Sequence, residues 1–358
     1  MPLGSSGLEV TATGTTTTID RRAEILADPG FGRHLTDHMV SSRWHDGGWD
    51  ALQLEPMHDL ALSPAAMVLH YGQAIFEGMK AYRQPDGSVA LFRPDANAAR
   101  FHRSALRMAM PTLPVDTFVD ACRSIVRADV DWVPSRAGQS LYLRPFMFAT
   151  EAHLGVRAAQ ELLFSVIASP VDTYFPGGVQ PLSITSAGTA VRAAPGGLGA
   201  AKCAANYSAS LQTKLTAAAD GYDEVVWLDA IEHRYVDELS GMNLFVVRGD
   251  EIVTPPISDT ILDGITRDSL VALAPTLGIT VREEPIAIDE WIADATAGRI
   301  TEAFACGTAA VIAPIGRVAD TTIGGGGAGA VTLRLREALV AIQEGRAEDP
   351  FGWRAPVA

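Results

Sequence analysis

One lysine of the chain stands in an unusual run of small residues. Lys202 lies within residues 199–207 (GAAKCAANY), where small neighbours would let a bulky group approach the backbone closely. An apolar helical spacing of Tyr207, Leu211 and Leu215 follows it. A lysine amine can form a Schiff base with a carbonyl compound, although a lone lysine is more often a solvated surface charge. Lys202 is therefore a candidate for covalent chemistry that needs support from other residues.

A single acid stands between two apolar runs in residues 235–245 (YVDELSGMNLF). This context predicts that Glu238 lies near a strand end and faces the interior, where a carboxylate needs a partner. A protonated ring nitrogen of a cofactor would be one such partner. A surface strand end, or an ion pair with an arginine, explains the same pattern.

Three further features could bind an anion. Residues 264–266 (GIT) place two backbone N–H groups and a hydroxyl at a predicted helix start, and residues 307–310 (GTAA) form a turn of small residues. Arg100, Arg103 and Arg107 follow helical spacing, and any of them could bind a phosphate bidentately. Taken singly, these features are also those of an ordinary helix cap, a loop and a solvated basic face.

Aromatic and basic residues in apolar surroundings form a last group of candidates. Tyr71 and Phe76 lie in residues 69–78, and Tyr142 and Arg144 lie in residues 141–146. Core packing explains the aromatic residues equally well.

The length of 358 residues predicts two domains that position these groups. Mixed strand and helix patterns on both sides of a Pro and Gly cluster predict an α/β (mixed α+β) fold. We expect a flexible tail over residues 1–19, a smaller domain over 20–170, a linker over 171–181 and a larger domain over 182–358. Strands are predicted at 224–229 and 243–247, and a helix is predicted with Thr266 as its cap and Gly278 after its end.

Composition restricts the partners. The formal net charge of −14 disfavours nucleic acid and anionic membrane surfaces, and no apolar stretch approaches the length of a membrane span. Cys122, Cys203 and Cys306 have neither disulfide nor metal-ligand spacing, which fits a reducing cytoplasm and predicts no metal site.

The order of these features along the chain resembles the branched-chain amino acid aminotransferases, a group of fold type IV enzymes that depend on pyridoxal 5'-phosphate (PLP). The resemblance runs from about residue 55 to residue 353. Its motifs are HYGQAIFEGMKAY (70–82), ANAARFHRSA (96–105), YLRPFMFAT (142–150), VRAAPGGLGAAKCAANY (191–207), VVWLD (225–229), DELSGMNLF (237–245), GITRDSL (264–270) and FACGTAAVIAP (304–314).

The resemblance implies a role for each matching position. Lys202 would be the Schiff-base lysine and proton shuttle, Tyr207 would bind the ring oxygen, Glu238 the pyridine nitrogen and Arg100 the phosphate. The other implied cofactor residues are Gly264, Ile265, Thr266, Gly307 and Thr308. The implied substrate residues are Tyr71, Phe76, Tyr142, Arg144, Tyr174, Thr308, Ala309 and Ala310.

The implied fold is two-domain and similar to that of D-amino acid aminotransferase, in a homodimer in which the neighbouring subunit contributes Tyr71. The implied reaction moves an amino group between Leu, Ile or Val and 2-oxoglutarate, yielding 2-oxo acids and glutamate. A fold type IV lyase, a D-amino acid aminotransferase and a silent PLP carrier are alternatives. A nicotinamide dehydrogenase lacks its Gly-x-Gly-x-x-Gly turn here.

Some positions depart from the family pattern. Asp263 stands where a proline is expected, and a carboxylate there could weaken phosphate binding if it pointed inward. Ala204, Ala205 and Ser240 stand at positions that are often glycine. Cys306 has no cysteine near it in sequence, which argues against a thiol switch.

Overall fold

The computed structural model describes residues 9–10, 16–174 and 178–357. Contacts divide the chain into unit 1 (Met1–Thr173, Lys202–Ala204 and Ile342–Ala358) and unit 2 (Tyr174–Ala201 and Ala205–Ala341). Most of the predicted tail and the centre of the predicted linker, residues 175–177, lie outside the described residues. Inside the predicted tail, Thr18 accepts a hydrogen bond from the amide of Arg21 and caps the first helix. The predicted domain limits stay a prediction.

Runs of three or four consecutive strands are separated by helices along most of the described chain. The helices are α1 (Ile19–Ala27), α2 (Met67–Tyr71), α3 (Pro94–Arg107), α4 (Val115–Ala128), α5 (Ala204–Ala219), α6 (Ile265–Leu273), α7 (Ile288–Thr296) and α8 (Ala330–Gln343), with 3-10 turns at Val130–Trp132 and Ala274–Leu277. The strands are β1 (Glu9–Val10), β2 (His38–His45), β3 (Gly48–Trp49), β4 (Gln53–Pro56), β5 (Ala74–Phe76), β6 (Met79–Arg83), β7 (Val89–Phe92), β8 (Ser140–Ala149), β9 (Leu162–Val171), β10 (Leu182–Ser186), β11 (Glu224–Leu228), β12 (Val236–Leu239), β13 (Asn243–Arg248), β14 (Glu251–Thr254), β15 (Thr280–Glu283), β16 (Ile300–Gly307), β17 (Val311–Val318), β18 (Thr321–Thr322) and β19 (Arg354–Pro356).

The sheet of unit 1 has the strand order β1-β4-β2-β9-β8-β6-β7-β19, with β3 beside β2 and β5 beside β8. Its long central strands β8 and β9 pair antiparallel along their full length. Phe101 of α3, Phe118 of α4 and Phe164 of β9 pack against one another, with ring centroids 5.2 to 6.1 Å apart. Burial of these rings holds α3, the helix that carries Arg100, against the sheet.

The sheet of unit 2 has the order β12-β11-β10-β17-β16-β13-β14-β15, with β18 beside β17. Its core is aliphatic around Trp291, and Phe245 stacks on Phe304 with centroids 5.1 Å apart. The register pairs Asn243 at the start of β13 with Cys306 near the end of β16. The β12–β13 turn and the β16–β17 turn therefore lie at the same end of this sheet.

The mixed α/β fold class is confirmed, and most of the predicted local elements are present. The predicted strands are observed as β11 and β13. The cap predicted at Thr266 is wrong, because Gly264 has the extended backbone of an N-cap and the helix begins at Ile265. Pro275 ends the α-helical geometry in favour of a 3-10 turn, and Gly278 closes that turn with a φ of +72°. None of the helices in the described residues combines the length and apolarity needed to cross a bilayer.

Candidate active site

Lys202 is fixed in unit 1 through both of its peptide groups. Its amide donates to the Ser104 hydroxyl of α3 at 2.9 Å, and its carbonyl accepts from the Phe76 amide at 3.0 Å. The next residue, Cys203, forms a β-bridge with Ile75. The Lys202 ammonium nitrogen lies 4.9 Å from the centroid of the Phe76 ring. The lysine is thus held by the β5 segment and α3 instead of extending from a surface helix.

Arg100 is the one member of its helical triplet that turns inward. Its side chain is 5% exposed, whereas Arg103 and Arg107 are exposed. The guanidinium donates from Nε and from one Nη to the carboxylate of Glu77, at 2.7 and 2.8 Å. The solvated-face interpretation therefore holds for Arg103 and Arg107 only.

Phe76, Tyr142 and Arg144 form one cluster in unit 1. The Arg144 guanidinium lies 4.8 Å from the Phe76 ring centroid and donates to the Tyr142 hydroxyl at 3.0 Å. A Cβ atom at Gly78 would overlap that hydroxyl, so the glycine makes room for it. The cluster offers aromatic surface beside a cation, which suits an amphipathic ligand.

Tyr71 lies at the end of the short helix α2. It is 40% exposed, and its hydroxyl donates to the carbonyl of Leu154. Tyr174, at the start of unit 2, is also exposed, and partial burial raises the pKa of its phenol with a smaller contribution from Glu224. The hydroxyl of Tyr71 thus joins α2 to residue 154 within unit 1, and Tyr174 belongs to unit 2.

Glu238 is a buried acid on β12 of unit 2, with 4% of its surface exposed. One carboxylate oxygen lies 2.6 Å from Nη2 of Arg192, and the other accepts from Nδ2 of Asn243 at 3.2 Å. Arg192 also donates to the carbonyl of Thr260. The arginine and the amide stabilise a negative charge at this position.

The first turn of α6 lies beside Asn243. The Asn243 amide donates to the Leu262 carbonyl at 3.0 Å, and a Cβ atom at Gly264 would overlap its Oδ1 atom. Ile265 and Thr266 follow as the first two helical residues, where backbone N–H groups point along the helix axis and could bind an anion. Asn243 thus connects Glu238 with the turn that could bind a phosphate.

The turn 308–310 lies at the same end of the sheet. It joins β16 to β17, and a Cβ atom at Gly307 would lie 3.3 Å from the Gly241 carbonyl, so the glycine permits close approach of the β12–β13 turn. Gly241 in turn faces the Tyr207 ring of α5. Unit 2 therefore brings the predicted residues Tyr207, Glu238, 264–266 and 307–310 together.

Sequence reasoning missed five polar residues that hold the predicted ones. They are Glu77, Asn97, Ser104, Arg192 and Asn243. Glu77 had a readable signal, since an acid between Phe76 and Gly78 in an apolar segment needs a buried partner. The others gave none, because their contacts join segments far apart in the chain.

Comparison with known proteins agrees with this geometry. The family model described as Amino-transferase class IV matches residues 74–318. That is more than half of the chain, which therefore belongs to the class IV aminotransferases.

Two curated relatives identify the branch of the class IV aminotransferases to which the chain belongs. The chain is 50% identical over 365 residues to the branched-chain-amino-acid aminotransferase of Mycolicibacterium smegmatis, with 99% of each chain covered. It is 45% identical to branched-chain-amino-acid transaminase 1 of Bacillus subtilis, covering 92% of this chain and 94% of that protein. Within its class, the chain is a member of the branched-chain-amino-acid aminotransferases.

The solved structures agree. The T.th. branched-chain amino acid aminotransferase with pyridoxamine 5'-phosphate superposes with a TM-score of 0.74 at 30% identity, covering 89% of this chain and 99% of that one. The same enzyme complexed with N-(5'-phosphopyridoxyl)-L-glutamate gives a TM-score of 0.71. The fold type IV aminotransferase fold predicted from sequence is confirmed.

Proposed function

We propose that this aminotransferase uses PLP to move amino groups between branched-chain L-amino acids and 2-oxoglutarate. The observation that carries the proposal is Lys202, whose two peptide groups are anchored by Ser104 and Phe76 and whose amine faces an aromatic ring. Such anchoring suits a lysine that must return to the same cofactor atom in each cycle. The names of the relatives supply the substrate class.

The donor set of the described residues fits PLP. Arg100 is a buried cation, α6 has a glycine as its N-cap with first-turn amides directed along the axis, and Glu238 is a buried acid paired with Arg192. These are the groups that a phosphate and a pyridine nitrogen require. Arg100, Gly264, Ile265, Thr266, Gly307 and Thr308 would hold the phosphate, Tyr207 the ring oxygen and Glu238 the ring nitrogen.

When bound, PLP supplies an electron-withdrawing ring that stabilises negative charge at the substrate Cα. Lys202 would carry the cofactor and, once released from it, move the proton between the substrate Cα and C4' of the cofactor. Glu238 would keep the ring nitrogen protonated because its own negative charge is supported by Arg192 and Asn243. Asp263 directly precedes the turn that would hold the phosphate, and its carboxylate would weaken phosphate binding if it pointed toward that turn.

The substrate would be held by small residues and aromatic rings. The amides of Thr308, Ala309 and Ala310 would bind its carboxylate, and Phe76, Tyr142 and Tyr174 would surround its side chain, with Arg144 beside them. Aromatic surface favours Leu, Ile and Val, but one methylene changes binding by only about 1–3 kcal/mol. Discrimination among the three is therefore expected to be weak.

We propose a homodimer as the working form. Residues 65–71 and 152–156 of unit 1 lie side by side, joined by the Ala66–Ala152 bridge and by the bond from Tyr71 to Leu154. Four of their large hydrophobic side chains are exposed: Leu69, Tyr71, Leu154 and Val156, the last by 84%. An apolar surface of this kind supports burial against a second copy, which would bring Tyr71 to the neighbour's active site. The free buried cysteines support a cytoplasmic location.

The decisive experiment maps the cofactor. Purified protein should absorb visible light, and borohydride reduction followed by peptide mapping should place the reduced cofactor on Lys202. With L-leucine and 2-oxoglutarate the protein should form glutamate, whereas a lyase or a silent carrier would not. A label on any other lysine would refute the assignment of the site.

A further inference from the structure

Glu77 is an acid in the interior of unit 1 that the proposed mechanism does not use. Its side chain is wholly buried. Oε1 accepts from Arg100 Nε at 2.7 Å, and Oε2 accepts from Arg100 Nη2 at 2.8 Å, from Asn97 Nδ2 at 2.7 Å and from the Gly78 amide at 3.1 Å. Both carboxylate oxygens are therefore satisfied by donors in a fixed arrangement.

These contacts define the orientation of Arg100. A guanidinium is planar and rigid, so a carboxylate that takes Nε and Nη2 together fixes the plane of the whole group. Asn97 and Arg100 are one turn apart on α3, and both donate to Glu77. The acid thus fastens the face of α3 that carries Arg100 to the segment between β5 and β6.

The same short segment also fixes Lys202. Phe76 donates its amide to the Lys202 carbonyl and places its ring against the Lys202 amine, and the Glu77 amide donates to the Pro145 carbonyl at 2.7 Å. Burial by itself raises the pKa of Glu77, but the Arg100 charge and hydrogen bonds outweigh it, with a contribution from Lys202, and the pKa is lowered. Glu77 is therefore an anion that pairs with Arg100 and also feels the positive charge of Lys202.

We propose that Glu77 is a positioning residue, whose buried carboxylate holds the Arg100 guanidinium in the orientation that binds the cofactor phosphate. The inference rests on the proposed function, in which Arg100 binds that phosphate. A surface ion pair would be mobile and contribute little, whereas this pair is buried, bidentate and supported by Asn97. Removing Glu77 would leave Arg100 its charge but not its direction.

The test compares two ligands that differ only in the phosphate. Apo-protein is titrated with PLP and with pyridoxal, and binding is followed by absorbance. A charge-assisted contact corresponds to a change of about 10- to 100-fold in affinity. In Glu77→Gln we expect the Kd for PLP to rise at least tenfold while the Kd for pyridoxal changes less than about twofold. Equal losses for both ligands, or no loss, would overturn the proposal.

Two further variants guard against misfolding and indirect effects. Glu77→Asp keeps the charge but is one methylene too short for the bidentate contact, so its PLP affinity should fall and its pyridoxal affinity should not. In an Arg100→Gln background, adding Glu77→Gln should change the Kd for PLP no further, because Glu77 acts through Arg100. Unchanged PLP binding by Glu77→Asp, or an additive loss in the double variant, contradicts the proposal.

The control is Glu24→Gln, which removes an exposed acid that pairs with Arg21 on α1. It should bind both ligands as the wild type does. If the wild type binds neither ligand, or if its label maps away from Lys202, the proposed function fails. If the wild type binds PLP at Lys202 and Glu77→Gln keeps wild-type affinity for it, only the role of Glu77 fails.

Discussion

At the scale of single residues, Asn243 joins two parts of the candidate site. Its amide nitrogen donates to Glu238 and to the Leu262 carbonyl, and its oxygen occupies the space where a side chain at residue 264 would begin. The φ of −75° at Gly264 is open to any residue, so backbone conformation does not require a glycine here. The glycine is required because Asn243 approaches its Cα closely. A side chain at position 264 would therefore disturb both the hydrogen bond to Glu238 and the turn that would bind the phosphate.

Gly264→Ala should weaken cofactor binding. The new methyl group would displace Asn243, and the loss of one or two hydrogen bonds of about 1 kcal/mol each predicts a Kd for PLP that is about 5- to 30-fold higher. Fluorescence titration of apo-protein measures this change. Gly327→Ala is the matched control, since a Cβ atom there meets no atom within 4 Å. If the Gly264→Ala protein binds PLP as tightly as the wild type, Asn243 is not displaced.

At the scale of elements, the β11–β12 loop sets the position of the strand that carries Glu238. Asp229 follows β11, and its carboxylate accepts from the amides of residues 231, 232, 234 and 235 at 2.6 to 3.0 Å. Partial burial raises the pKa of Asp229, but these four amides outweigh it and lower the pKa to about 2. The loop is thus closed around one ionised side chain.

Asp229→Ala should lower the melting temperature at neutral pH. Because the folded-state pKa lies below the ordinary value of 3.8, the stabilisation is present above pH 3.8 and is lost as the pH falls toward about 2. The side chain is partly solvent-exposed, so we expect a contribution of about 1–2 kcal/mol. Thermal denaturation of both proteins from pH 3 to 7 should show a constant difference in melting temperature above about pH 5 that becomes smaller between about pH 4 and pH 3. A difference that grows on acidification would contradict this account.

Several elements could be predicted from the sequence because their signals are local. The apolar runs of β11 and β13 and the stop at Gly278 all depend on neighbouring residues. The start of α6 was misplaced by two residues, since Thr266 is a good capping residue but Gly264 has the required backbone. The residue types found at helix N-caps reflect only a preference. At the start of α6 the close approach of Asn243 favours glycine at position 264.

The support of the candidate site could not be predicted in the same way. Glu77 and Arg100 are 23 residues apart, and Arg192 and Glu238 lie on different elements. The spacing of residues on one helix or strand carries no information about such pairs. The resemblance identified the residues that would touch the cofactor, whereas the acids and amides that orient them appear only in the folded chain.

At the scale of the whole molecule, the reactivity of the three cysteines measures whether the folded protein keeps thiol reagents out of its interior. Cys122, Cys203 and Cys306 are all buried, and burial raises the pKa of the Cys122 and Cys306 thiols. Native protein should therefore react negligibly with a thiol reagent over minutes, and denatured protein should release three thiols. Rapid reaction of one thiol in the native protein would instead show an accessible cysteine and reopen regulation by oxidation.

The exposed apolar surface formed by residues 65–71 and 152–156 predicts that the protein is a dimer. At micromolar concentration, sedimentation should give twice the mass of one chain. Val156→Asp places a charge among Leu69, Tyr71 and Leu154, so it should shift the protein toward monomers and reduce turnover, because Tyr71 would no longer reach the neighbouring site. Ile231→Asp, at a similarly exposed position in unit 2, should leave both properties unchanged. A wild-type protein that sediments as one chain and is fully active would exclude the shared site.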